Sequence, residues 1–328
     1  MFKKATAVLP GLIASVLVML SSMVIANFIP LIGGATLAIF LGMFFGNTIL
    51  KQDILEEGTK FTASKLLEVA IVLLGCSITF STILELGLNG LAFIVAQLVL
   101  TIFICFYVAK RFNFSKKLSL LLAAGSGVCG SSAIGATTPV IKASEEEKSN
   151  AIMITNIMGT VLMVALPIIT FILYNHEIEK TAAMMGGTLQ AIGQVVASGL
   201  MVNEATSDLA TLFKLVRVSF LVVVVVAMGL YAKENQENSK IDYHRLVPWY
   251  IIGFFILSII SSFGLIPNIV STSLKDVATT FQIIALAAIG MRINFQQVKE
   301  SGIKLLAFGG IIIVVQVILA TTLIAILF

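Results

Sequence analysis

Four glycines, a run of hydroxyls and a proline stand together in "AAGSGVCGSSAIGATTPVIK", residues 123–142, inside a chain that is 58% hydrophobic. Relative to alanine, glycine weakens a helix by about 1 kcal/mol and proline by about 3 kcal/mol, so this stretch reads as a broken helix. Broken backbone at membrane depth survives only where it is buried in protein or lines a watery cavity. The amides it frees, with the hydroxyls of Ser126, Ser131, Ser132, Thr137 and Thr138, make a neutral, donor-rich cradle of the kind that suits an oxyanion. The candidate ligand set is Ser126, Gly127, Cys129, Gly130, Ser131 and Ser132. Small residues also serve close helix packing; their density here, followed by Pro139, favours a binding site.

Two further groups carry chemistry. In "MGGTLQAIGQVVASG" (185–199), Gly186, Gly187, Gly193 and Gly199 break a second apolar run. Gln190 and Gln194 are four apart and share a helix face, where two amides can donate and accept or simply pack. In "ATLFKLVRVSF", Lys214 and Arg217 are three apart on one face. They read either as counter-charges for an anion or as a pair snorkelling to the outer interface. Asn156 and Thr160 share a face and serve a cavity wall or an interhelical hydrogen bond. Arg292 reads as an orientation charge and Glu68 as an interfacial acid.

The elements that must position these groups are membrane helices. Charged residues are 12% of the 328, against roughly 25% in soluble domains. Eleven apolar segments follow one another: 7–28, 31–50, 66–81, 89–109, 118–140, 150–174, 182–201, 210–232, 247–266, 276–292 and 303–328. The class is an all-α polytopic membrane protein of about eleven transmembrane segments with two glycine-broken helices. Lys3 and Lys4 before an apolar run resemble a secretory signal, but the run is long and ten more follow, so it reads as the first span. With the N-terminus inside and strict alternation, three of the 21 Lys and Arg fall outside (Lys142, Lys148, Lys275). Two fall within a span (Lys214, Arg217), and the other sixteen fall inside. That asymmetry puts the N-terminus in the cytoplasm and the C-terminus outside.

"GCSITFSTILELGLNGLAF" (75–93) and "GMRINFQQVKESGIKLLAF" (290–308) align without gaps. They share Gly75/Gly290, Ile78/Ile293, Phe80/Phe295, Glu85/Glu300, Gly87/Gly302, Leu91/Leu306, Ala92/Ala307 and Phe93/Phe308. The matched segments are seven spans apart. An odd shift reverses direction through the bilayer, which is the pattern of an inverted-topology repeat in a secondary transporter.

Other classes find little. Cys76, Cys105 and Cys129 have no metal or disulfide spacing, and His176 and His244 sit in polar connections without zinc partners. No metal, cofactor or nucleic-acid partner is expected, and the net charge of +4 belongs to membrane orientation. Ser131 or Cys129 as nucleophile lacks a mid-span base, so no enzyme is expected.

"LPGL" (9–12), "GSGVCGSSAIGATTPVIKA" (125–143), and "GGTLQAIGQVVASG" (186–199) followed by "KLVR" (214–217) carry a resemblance to the YeiH-type sulfate-exporter family of bacterial inner-membrane proteins. The resemblance runs nearly end to end. It implies a single transporter domain, 1–328, similar in fold to bile-acid and auxin carriers. A mobile core (66–201 and 276–328) would work against a scaffold (1–50 and 210–266), in a homodimer by analogy with such carriers. It implies alternating-access export or exchange of a small anion such as sulfate or sulfite, bound by the residues named above with Gln190, Gln194, Lys214 and Arg217. Family members often carry a His–acid pair where this chain has Gln190 and Ala191, so a proton relay does not carry over. A sodium-coupled organic-anion carrier and an anion channel stay open as alternatives.

Overall fold

The computed structural model describes residues 2–28, 34–50, 53–76, 86–232, 249–293 and 302–328. No strand occurs among them. The helices in chain order are α1 (Phe2–Phe28), α2 (Gly34–Asn47), α3 (Glu56–Phe61), α4 (Leu67–Leu74), α5 (Gly87–Arg111), α6 (Lys116–Gly127), α7 (Ser131–Ile141) and α8 (Glu145–Tyr174). They continue with α9 (Ile178–Thr188), α10 (Ile192–Leu200), α11 (Glu204–Ser219), α12 (Leu221–Ala232), α13 (Trp249–Ser262), α14 (Asn268–Arg292) and α15 (Ile303–Leu327). A single π turn, Thr62–Leu66, joins α3 to α4.

Among the described residues, six helical stretches are long and apolar enough to cross a membrane: Ala7–Ala26, Gly87–Arg111, Glu145–Tyr174, Glu204–Ala232, Ile269–Arg292 and Ile303–Leu327. The apolar helices α2 and α13 are shorter. The described part of each of the eleven apolar segments falls on a helix or a broken helix pair.

The chain divides into two compact units. The first comprises residues 1–85, 200–204 and 249–296. Its helices approach through glycine. A Cβ on Gly42 of α2 would run into the Ala287 carbonyl of α14, and one on Gly290 into the Ile39 carbonyl. Gly11 of α1 and Gly58 of α3 meet the same way, against the carbonyls of Leu55 and Val8. These seams bring backbones close enough for Val18, Met19, Ala38, Ile284 and Met291 to share one buried cluster. Glu68, the expected interfacial acid, pairs with Lys65 at 2.8 Å and accepts from the Trp249 indole at 2.6 Å. Arg292 Nη1 donates to the Glu56 carbonyl at 3.4 Å.

The second unit comprises 86–199, 205–248 and 297–328. Here the structure corrects the count of crossings. Segment 118–140 does not traverse; α6 and α7 form an antiparallel hairpin. Lys117 Nζ donates to the Lys142 carbonyl at 2.6 Å, and Ser115 Oγ donates to Glu147 Oε1 at 2.5 Å. Nearer the tip, a Cβ on Gly125 would meet the Ile134 side chain. Both ends of the hairpin thus lie at one edge of the unit. The same edge holds Tyr231, beneath the Lys116 ammonium, and Phe308, against Phe112 and Phe114.

Segment 182–201 turns back as well, from the opposite edge. α8 runs its 30 residues away from the Ser144 cap, and the 204–232 stretch must return to Tyr231. The pair α9–α10, lying between them, therefore starts and ends at the far edge. The physical reason is the same in both hairpins. A run of about 23 apolar residues spans a bilayer as one helix, but broken at its middle it can equally fold into two half-length helices. Among the described residues, the fold of this unit is five helices, α5, α8, α11, α12 and α15, around two hairpins that enter from opposite sides.

α5 and α15, which the two aligned segments enter, run antiparallel: Phe93 lies 6.0 Å from Phe328, and Phe112 lies 5.9 Å from Phe308. Ile78, Phe80, Glu85, Phe295 and Glu300 lie outside the described residues.

Candidate functional site at the hairpin tips

The two hairpin tips are joined by the two cations of α11. Lys214 and Arg217 are fully buried. Lys214 Nζ donates to the carbonyls of Val128 and Leu189, both at 2.6 Å. Arg217 Nε donates to Gly127 O at 2.7 Å, Nη2 to Ser126 O at 2.7 Å, and Nη1 to Gly187 O at 2.7 Å and Leu189 O at 3.4 Å. Every one of these carbonyls ends α6 or α9, where a helix leaves its last C=O groups without partners. Cations there satisfy the carbonyls and offset the negative end of the helix dipole. The spacing of three along α11 lets one side chain serve each level of the junction. Small residues let α11 come close: a Cβ on Gly186 would sit 2.6 Å from the Ala210 carbonyl, and one on Gly199 2.5 Å from Ser207 Cα.

The expected pairing of Lys214 and Arg217 on one helix face is present, and neither snorkels to an interface. Among the described residues, no carboxylate forms an ion pair with either. The ends of α6 and α9 supply roughly half a negative charge each. That offsets about one of the two positive charges. The starts of α7 and α10 add positive potential of similar size. The tips are therefore a buried, net-positive region.

The expected ligand residues fall into different roles. Ser126 and Gly127 lend their carbonyls to Arg217, and the Ser126 side chain is buried beside the Cys105 thiol, 3.7 Å away. Gly130 turns hairpin 1, with φ 63° and ψ −128°, and its N–H reaches back to the Gly125 carbonyl at 2.9 Å. Only glycine holds a positive φ there without strain. Cys129 lies within hydrogen-bonding range of the Ser132 side chain and the Ala133 amide. Ser131 and Ser132 are exposed in the first turn of α7, and the first amides of a helix have no intrahelical acceptor. Gln194 folds back on its own helix: its Oε1 accepts from the Ala191 amide at 3.0 Å. Its side chain fills the space a Cβ on Gly159 of α8 would need. Gln190 Nε2 donates to Gln316 Oε1 at 3.1 Å. Asn156 and Thr160 stay local, with Thr160 Oγ1 bonded to the Asn156 carbonyl at 2.9 Å.

Two residues that sequence reasoning passed over complete the network. Gln316 Nε2 donates to the Ser126 carbonyl at 3.1 Å, and Gln97 Nε2 donates to the Gln316 carbonyl at 3.2 Å. These carbonyls fix how each amide points. Gln97 Oε1 and Gln190 Oε1 are buried and have no donor among the described residues. The available signal was a lone amide in the middle of each apolar helix, "FIVAQLVL" and "IIIVVQVIL".

Comparison with known proteins agrees with this membrane architecture. A family model described as "Conserved hypothetical protein 698" matches residues 10–309. A UPF0324 membrane protein of Clostridium perfringens is 42% identical over 98% of this chain and 97% of its own. One from Lactiplantibacillus plantarum is 40% identical over 99% of both chains, and one from Lactococcus lactis 40% identical over 98% and 99%. No solved structure matches the chain. With several apolar helices and relatives named as membrane proteins that match over nearly the whole chain, the chain is a multi-pass membrane protein. It belongs to the conserved hypothetical protein 698 family, the UPF0324 membrane proteins.

Proposed function

We propose that the protein is a secondary carrier of a small oxyanion, with sulfate or sulfite the first substrates to try, and that the anion binds at the meeting of the hairpin tips. The observation that carries this reading is the buried pair Lys214 and Arg217, joined to carbonyls and, among the described residues, to no carboxylate. A net-positive region in a low-dielectric interior favours an anion strongly, and the open first turn of α7, with Ser131 and Ser132, offers amides and hydroxyls to hold it. Gly127, Cys129 and Gly130 shape that turn, and Gln190 and Gln194 support the facing one.

Hairpins entering from opposite faces give each face its own gate. Opening one while the other stays closed is alternating access. The Lys214–Arg217 helix carries both tips, so in this reading it travels with them. The outer and inner gates would be related by the inverted repeat begun in α5 and α15. Turning both hairpins back also sharpens the orientation: Lys142 and Lys148 move to the inside and Lys180 to the outside. Lys180 and Lys275 are then the two outside charges, and seventeen of the 21 Lys and Arg lie inside, with the N-terminus cytoplasmic. In this reading the chain makes nine crossings and two hairpins in a bacterial plasma membrane.

Electrostatics favours export. A charge crossing 100 mV changes energy by about 2.3 kcal/mol, so a dianion leaving a negative-inside cell gains about 4.6 kcal/mol. The test is counterflow in proteoliposomes loaded with unlabelled sulfate, with labelled sulfate outside. Uptake that overshoots equilibrium supports a carrier. Uptake that rises only to equilibrium, without trans-stimulation, means a channel. No uptake of sulfate, sulfite or small sulfonates by folded protein overturns the oxyanion assignment.

A further inference from the structure

At the base of hairpin 1, away from the tips, lies a cavity of about 330 Å³. One side is polar: Ser115, Lys116 and Lys117 at the start of α6. The other is apolar: Leu120, Ile141 and Ala232, from α6, α7 and α12. Glu147 also borders it, but its carboxylate is already engaged. It accepts from Ser115 Oγ at 2.5 Å, from the Ser144 amide at 2.9 Å and from Ser144 Oγ at 3.2 Å. An ammonium has three N–H donors, and among the described residues the Lys142 carbonyl takes one of those of Lys117, at 2.6 Å. The Lys117 charge also acts on the Glu147 carboxylate.

The surroundings mark a membrane interface. At this edge four cations sit over aromatic rings: Lys110 5.6 Å from Phe106, Arg111 5.2 Å from Tyr107, Lys116 5.2 Å from Tyr231 and Lys304 5.0 Å from Phe114. Aromatic rings at the headgroup level with cations beside them are the pattern of a helix bundle's interfacial belt. A polar recess in that belt with an apolar back wall matches a molecule with a charged head and an acyl chain.

We propose that this cavity binds the phosphate headgroup of an anionic phospholipid, with Lys116 and Lys117 on the phosphate and the acyl chain along Leu120, Ile141 and Ala232. The bound lipid ties the base of hairpin 1 to α12. Its assignment to the inner leaflet rests on the orientation given above; binding itself does not depend on the transported substrate.

Native mass spectrometry of the whole purified protein, given phosphatidylglycerol and phosphatidylcholine in equal amounts, tests it. Removing two lysines near a membrane surface weakens attraction to anionic lipid by roughly thirtyfold, at about fivefold each. Lys116→Gln with Lys117→Gln should therefore lose about that factor in phosphatidylglycerol retention. The control pair Lys65→Gln with Lys180→Gln, which removes the same net charge elsewhere, should keep it. Ala232→Trp, which fills the recess and touches no charge, should also expel the lipid, and carries the test if the lysine variant does not fold. Equal retention in all variants, or equal loss in the control pair, overturns the site. Displacement of the lipid by millimolar inorganic phosphate or glycerophosphate would mean a soluble phosphate occupies it, and overturns the lipid assignment.

Discussion

The two hairpins look alike in sequence, each a glycine-broken apolar run, yet their tips are built differently. Hairpin 1 turns through a positive-φ glycine, Gly130, and leaves Ser131 and Ser132 exposed at the start of α7. Hairpin 2 turns through Leu189, whose φ of −63° and ψ of 145° are extended. It closes its own second helix, with Gln194 on the Ala191 amide. One tip is open to a ligand and the other is sealed by its own side chain. Both are tied to the same two cations. The lesson is that a break does not by itself make a binding site; what matters is whether the freed amides are spoken for within the chain.

The largest test of the shared junction is Arg217→Met. It strips the donors from Gly127 and Gly187 and leaves Ser126 to Gln316 alone. Each buried carbonyl left without a donor costs about 1–3 kcal/mol, so the thermal midpoint in detergent should fall steeply and sulfate uptake vanish. Lost uptake at an unchanged midpoint would show that Arg217 does not hold the tips together. Next comes Gly130→Ala. A Cβ in left-handed backbone costs about 1–2 kcal/mol, so melting and transport should both decline, with the open tip of hairpin 1 distorted. Gln194→Leu should cost about 1 kcal/mol, the worth of one buried hydrogen bond, with the half-saturation for sulfate unmoved. Ser132→Ala should do the reverse: about a fivefold weaker half-saturation, as for one lost hydrogen bond, at an unchanged midpoint. Should Gln194→Leu shift affinity and Ser132→Ala shift melting, the assignment of open and sealed tips is inverted.

Much of this was legible in the residues. Apolar runs and their breaks placed the helices, because bilayer thickness sets a run length and glycine interrupts it. The spacing of Lys214 and Arg217 put them on one face, and that face is where both tips converge. The turning back of the hairpins was not legible from run length, since a broken run has the same length whether it crosses or returns. The trace it left was small: Lys142 and Lys148 among the outside charges, a residue of the charge rule that the hairpin removes. Gln97 and Gln316 were missed because a single amide in an apolar helix has no partner visible in sequence; the partners are 219 residues apart. The split of roles between Gln194 and Ser132 depends on side-chain direction at the two breaks, which composition does not encode.

The central claim is that residues 116–141 and 178–200 enter the membrane from opposite faces and return. Side-specific labelling of single cysteines in sealed vesicles tests it most directly, using Lys117→Cys, Lys142→Cys and Glu179→Cys in a background with Cys76, Cys105 and Cys129 replaced by serine. The account predicts that an impermeant thiol reagent reaches Lys117→Cys and Lys142→Cys from the same face and Glu179→Cys from the other. Labelling of Lys117→Cys and Lys142→Cys from opposite faces would contradict it and restore a simple crossing.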